Sequence, residues 1–190
     1  TDLQKKKIAY INFGDDSGAA FLEQLRQYAE IDWVKANGLN DYVKKLENYN
    51  YVIIGFHRSN ENPWKSYEFT EKELVWIYEI ARTNTVILDV FTSPYALFDL
   101  KTTTNFEGII CSYQNSEMSQ QLSAQLIFGA RGASGRLPVS IGEEFPVHTS
   151  VETKPIRRLQ YGTPESVGLS SKKLKKIDTM AWSGLWGDMM

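Results

Sequence analysis

Six residues, Tyr51-Val-Ile-Ile-Gly-Phe56, form a short apolar run rich in β-branched side chains and free of polar alternation. A strand reads this way when helices cover both of its faces, as in a parallel sheet sandwiched between helical layers. The run turns polar at once: His57, Arg58, Ser59, Asn60, Glu61 and Asn62 arrive together, followed by Pro63 and Trp64. In open parallel sheets, ligand-binding groups collect where the chain leaves the C-terminal ends of the strands. This segment is therefore expected to hold both the centre of the core and its functional edge.

The rest of the chain repeats the pattern. Lys7 to Phe13 reads as a first strand, ending in Gly14-Asp-Asp-Ser-Gly18, and a helix follows with Phe21, Leu22, Leu25, Tyr28 and Ala29 on one side. Ile31 to Ala36 reads as a second strand, and a polar helix over 40–48 carries Val43 and Leu46 inward. After Phe56 and its polar loop, Thr70 and Glu73 have capping-box spacing, with Phe69 placed to staple onto Leu74. That helix should bury Leu74, Ile77 and Ala81. Thr85 to Phe91 (Thr-Val-Ile-Leu-Asp-Val-Phe) reads as a fourth strand and Gly108 to Tyr113 as a fifth. Ser116 then caps a helix expected to turn Met118, Leu122 and Leu126 inward, and Gly129 ends it.

Five strands alternating with amphipathic helices specify an α/β fold, a three-layer sandwich with a parallel sheet between helices. Right-handed crossovers make the flavodoxin-like order 2-1-3-4-5 the simplest arrangement. Asp15, Asp16 and Ser17 would then face His57 to Glu61 across the crevice between strands one and three.

Charge argues against nucleic acid as a partner: the formal net charge is −2, and Lys5-Lys6-Lys7 and the lysines at 172–176 read as solvated surface. No apolar run approaches the roughly 20 residues that span a bilayer. The single cysteine, Cys111, excludes an intramolecular disulfide and a cysteine metal site, and reads as a small buried hydrophobe. His57 and His148 stand too far apart in sequence to suggest a metal, so none is expected. No cofactor is expected either, because Gly14-Asp-Asp-Ser-Gly18 sets two aspartates where a phosphate would sit and no G-x-G-x-x-G occurs.

Character changes after Gly142. Residues 143–169 lack periodicity, contain Pro146, Pro155 and Pro164, and read as a linker after a first domain over 1–142. Over 170–190, Ser170 or Ser171 caps a helix with Leu174, Ile177 and Ala181 inward. A lone amphipathic helix after a linker suggests a second domain cut off soon after it begins. The absence of an initiator methionine at Thr1 likewise suggests an excised piece.

Gln125-Leu-Ile-Phe-Gly-Ala-Arg-Gly-Ala-Ser-Gly-Arg-Leu-Pro-Val-Ser-Ile141 resembles the closing motif of the C-terminal α/β-sandwich domain of glycoside hydrolase family 3, in which a last helix runs into a final strand. Pro138 suits such an edge strand, which here would be Leu137–Ile141 and close the sandwich. Tyr161-Gly-Thr-Pro-Glu-Ser-Val-Gly-Leu-Ser-Ser-Lys-Lys-Leu-Lys-Lys-Ile-Asp178 is similar to the opening of serine β-lactamase-like domains. Together these resemblances imply a bacterial β-N-acetylglucosaminidase-like protein, periplasmic or secreted. Its partners would be an N-terminal (β/α)8 barrel of the same polypeptide, a carbohydrate substrate and the β-lactamase-like domain.

The resemblance also assigns roles. Glucosidase-type members take their general acid from the loop after the third strand, where Glu61 is the one carboxylate here, although its flanks depart from the usual Glu-x-Pro-Tyr-x-Glu pattern. Acetylglucosaminidase-type members use a His-Asp pair on the barrel instead. The nucleophile would come from the barrel in either case. His57, Arg58, Asn60 and Trp64 would line the sugar cleft or pack on the barrel. Ser170-Ser-Lys-Lys173 matches S-x-x-K, but without its partner motifs it reads as a helix start. The expected role is an accessory, non-catalytic domain, inactive on its own. The alternative is a flavodoxin-like module binding a small ligand at the crevice.

Overall fold

The computed structural model describes residues 5–59, 64, 66–156 and 163–177. Two compact units divide the chain, 1–156 and 157–190. The first is an α/β sandwich around a five-stranded, all-parallel sheet of order β2-β1-β3-β4-β5. Its strands are β1 (Ile8–Gly14), β2 (Ile31–Trp33), β3 (Tyr51–His57), β4 (Thr85–Phe91) and β5 (Phe106–Cys111). Its helices are α1 (Ala19–Arg26), α2 (Leu39–Leu46), α3 (Glu71–Thr83) and α4 (Glu117–Ile127). This is the flavodoxin-like order that the alternation of elements predicts.

Alternation along each strand explains why the sequence shows none. Ala9, Ile11 and Phe13 of β1 join Val52, Ile54 and Phe56 of β3 and Val86, Leu88 and Val90 of β4 in one buried cluster with Leu46, Ile77 and Ile80. The intervening Ile8, Tyr10, Ile53 and Phe91 form the other cluster, with Phe21, Leu25 and Ala124. Helices α2 and α3 thus cover one face and α1 and α4 the other, so both side-chain sets must be apolar.

The predicted helix signals are realised in α3 and at the end of α4. Thr70 accepts from the Glu73 N–H and Glu73 accepts from the Thr70 N–H, closing the capping box. Gly129, at φ 70°, takes the left-handed conformation after α4. Its N–H reaches Leu126 and that of Ala130 reaches Gln125, the two bonds of a Schellman cap.

Two helix faces differ from the periodic reading. In α2 the buried pair is Tyr42 and Leu46, one turn apart, with Tyr42 edge-on to Phe13 and Trp76, while Val43 is only half-buried. In α4 the phase is reversed. Gln120, Ser123 and Ala124 face inward, whereas Met118 is 70 % and Leu122 37 % exposed. The reason lies in the sheet beneath, where a buried carboxyl, Asp89, meets the Ser123 hydroxyl.

The sheet stops at β5, and the expected closing strand over 137–141 is not part of it. Pro138 has no N–H to donate, and the segment folds back instead: Leu137 exchanges backbone bonds with His148 and Thr149, and Ile141 bridges Phe145. Leu137 and Val139 still pack against the core. The return continues through Thr153, bonded to Ala133, to Ile156, bonded to Gly129. Residues 143–156, expected to belong to a linker, therefore lie within the first unit.

In the second unit, a 3-10 turn over Pro164–Val167 precedes a helix over 171–177. Glu165 accepts from both the N–H and the hydroxyl of Ser171, and the Ser170 hydroxyl accepts from Lys173 N–H. Both serines thus serve the helix start. Ala181 lies outside the described residues. Among the described residues, no helix is long and apolar enough to cross a membrane.

Candidate functional site

Strands β1 and β3 run side by side with Gly14 in register with His57, so their exits meet at the point where the strand order reverses. The structure brings Asp15, from the first of the two predicted loops, against His57 and Ser59 from the start of the second. Asp15 N–H donates to the His57 carbonyl, and Ser59 N–H donates to Asp15 Oδ1 at 2.7 Å. Glu73 adds a third tie: Oε1 accepts from Gly14 N–H, while Oε2 accepts from Thr70 and from Arg58 Nη2 at 3.0 Å. One carboxylate thus caps α3 and also fastens the ends of β1 and β3.

Arg58, expected at a sugar cleft, is consumed by this tie. Its guanidinium lies over the Phe56 ring, pairs with Glu73 and donates to the Glu68 carbonyl, and its side chain is mostly buried. His57, assigned to the same cleft, is completely buried, so its ring presents no surface to a ligand. Trp64 is 92 % exposed and, among the described cleft residues, is the one at the surface. Asn60 and Glu61 lie outside the described residues.

The His57 ring fills the bottom of the switch point. It stacks on Phe91 at 4.4 Å, with Phe21 edge-on, and meets Tyr10 Oη through Nε2 and Asn115 Oδ1 through Nδ1. Glycines make the room: a Cβ on Gly18 or Gly55 would stand 2.4 or 2.3 Å from Nε2. Proton positions follow from one backbone group. Phe21 N–H donates to Gln120 Oε1, which leaves Gln120 Nε2 to donate to Asn115 Oδ1. That oxygen is then the acceptor facing His57, so Nδ1 carries the ring proton and Nε2 accepts from Tyr10. Burial agrees, holding the imidazole neutral with its pKa lowered to about 4 and the Tyr10 phenol far above its ordinary value.

A second buried polar group adjoins the first. Asp89, opposite Gly55 in the sheet, is completely buried and meets the hydroxyls of Ser112 and Ser123. Burial raises its pKa to about 7 despite these bonds. Cys111 is also pushed up, to about 11, chiefly by burial, which leaves an unreactive thiol. Tyr10, Asn115, Gln120 and Asp89 were not singled out from sequence. Asp89 alone had a visible signal, as a carboxylate inside an otherwise apolar strand.

The Tyr10–His57 pair is enclosed by Gly18, Gly55 and the rings of Phe21 and Phe91. Among the described residues, no three His, Cys, Asp or Glu side chains are grouped to hold a metal. Two surface hollows among the described residues lie elsewhere, one between α2 and the end of α3 at Val43, Lys44 and Asn84, the other beside α1 at Leu22, Arg26 and Trp33. What the rim does expose is aromatic surface. Trp64 and Tyr67 follow β3, and the stacked pair Tyr95 and Phe98 follows β4. No protein-family model matches the chain, and no curated protein matches it either.

Proposed function

We propose that the first unit is an accessory, non-catalytic domain of a β-N-acetylglucosaminidase-like family 3 glycoside hydrolase, acting by docking on a (β/α)8 barrel. The observation that carries this reading is the contrast at the rim. The switch point is filled by the chain's own side chains, while aromatic rings on the loops after β3 and β4 are left exposed, Phe98 by 55 %. Exposed aromatics of this kind favour a covering surface over a small enclosed ligand. The motif over 125–141 supports the choice of family. A flavodoxin-like binding module fits less well, because Asp15, Ser59 and His57 close the crevice it would use.

The second unit is proposed as the beginning of a β-lactamase-like domain, and the whole as periplasmic or secreted, both on the resemblance. Association tests the docking role. A family 3 barrel supplied separately should bind this chain in sedimentation or calorimetry, and Phe98→Ser with Trp64→Ser should weaken binding at least tenfold. Equal binding by the double variant, or none by the unaltered chain, would reject the docking surface.

A further inference from the structure

Helix α4 is fastened to the domain in two unlike ways. Its C-terminal half is held by apolar packing: Ala124 is buried, and Phe128, just past the helix, stacks on Tyr28 at 5.3 Å. Its N-terminal half has no large apolar side chain facing the sheet. Gln120 reaches Phe21 N–H and Asn115, Ser123 reaches Asp89, and Met118 and Leu122 point to solvent. These first turns are therefore held by hydrogen bonds over a buried carboxyl that has no cation paired with it among the described residues.

We propose that the N-terminal half of α4 is a pH-released latch, closed over Asp89 while that carboxyl keeps its proton and opened when the carboxyl ionises. The physical reason is solvation. A carboxylate without a cation is strongly disfavoured in the interior, whereas in the opened form water reaches it. Among the described residues, no group facing it supplies a compensating charge. Tyr10 faces it from β1 and Cys111 from β5, both kept neutral by burial. His57 on β3 is neutral, and Asp16, in the turn before α1, faces Tyr10 and His57 as a like charge to Asp89. Glu23 and Arg26 of α1 and Glu117 of α4 are exposed.

Opening unmasks Asp89 selectively, because His57 remains under Phe21 of α1 and against Phe91. In the opened form the carboxyl returns toward its ordinary value of 3.8, whereas in the closed form burial raises it to about 7. Between these limits each pH unit increases the opened fraction by up to about tenfold, and above the upper limit the dependence ends. The device would alter the surface carrying Met118 and Leu122 as conditions become neutral.

Amide hydrogen exchange on the whole chain tests this, with intrinsic exchange rates divided out. Protection of the amides over 120–124 should fall by up to about tenfold per unit from pH 5 to 7, while those of β1 and β3 should not follow. Asp89→Asn, neutral and of the same shape, should abolish the dependence. Ser123→Ala should lower α4 protection at every pH and keep the slope. The proposal is overturned if wild-type α4 tracks β1 and β3 across this range, whatever the variants do, or if a folded Asp89→Asn chain retains the slope.

Discussion

The hydroxyl of Tyr10 lies 3.0 Å from Nε2 of His57, 47 residues away, and its proton belongs to the oxygen. That direction is set outside the pair, by Phe21 N–H acting through Gln120 and Asn115. Two buried groups that often do chemistry are here given fixed roles in holding β1 to β3. Nitrogen-15 NMR should find His57 neutral with the proton on Nδ1. Tyr10→Phe should cost about 1–3 kcal/mol in urea unfolding, since it strands a buried acceptor. Tyr49→Phe, whose hydroxyl meets Asp32 at the surface, should cost clearly less.

Two buried groups titrate in opposite senses. His57 has its folded pKa lowered from 6.5 to about 4, so its contribution is present above 6.5 and lost as pH falls toward 4. Asp89 has its folded pKa raised from 3.8 to about 7, so its contribution is present below 3.8 and lost as pH rises toward 7. Between about 4 and 6.5 the folded chain therefore carries one proton more on Asp89 and one fewer on His57 than the unfolded chain. The slopes cancel, and global stability should be nearly flat there. Asp89→Asn should make stability rise with pH, by up to about 1.4 kcal/mol per unit. His57→Asn should make it fall.

Backbone crowding at the switch point predicts a contrast between glycines. A Cβ at Gly14, where φ is 99°, would lie 1.9 Å from the His57 carbonyl oxygen, so backbone itself must move. Gly14→Ala should cost more than about 2 kcal/mol by overpacking and strain. Gly135 has nothing within 4 Å of its Cβ position, and Gly135→Ala should change stability by less than about 0.5 kcal/mol. Paired thermal melts would decide it.

Glu73 should matter well beyond its capping role. Thr70→Ala removes the cap and should cost about 1 kcal/mol. Glu73→Ala also frees Gly14 N–H and leaves the mostly buried Arg58 without its carboxylate. Its cost should reach about 3 kcal/mol, and a double variant with Arg58→Leu should recover part of it.

Strand and helix identity was legible because both faces of the sheet are covered, and β4 begins and ends where Asn84 and Ser93-Pro94 punctuate it. β2 stops at Trp33, earlier than its apolar residues suggest, because it pairs only with Ile8, Ala9 and Tyr10. The face of α4 was misleading. Met118, Leu122 and Leu126 repeat as a core stripe would, yet the side of the helix carrying Gln120 and Ser123 meets Asp89 and the Asn115 network. No local pattern shows that preference, because it depends on which strand lies underneath. The switch point was likewise located correctly from strand order. That Asp15 and Ser59 bond across it is a matter of distances that no spacing encodes.

If the domain is accessory, as proposed, turnover requires the barrel, and one assay tests that dependence. Turnover of chromogenic β-N-acetylglucosaminide and β-glucoside would be measured for this chain alone and for a polypeptide joining it to an upstream family 3 barrel, with and without Glu61→Gln. The account predicts no turnover by the chain alone, turnover by the joined polypeptide, and less than about a threefold change on Glu61→Gln. Turnover by the chain alone would contradict it, as would a loss of about a hundredfold or more in a folded Glu61→Gln variant, the scale of a missing general acid.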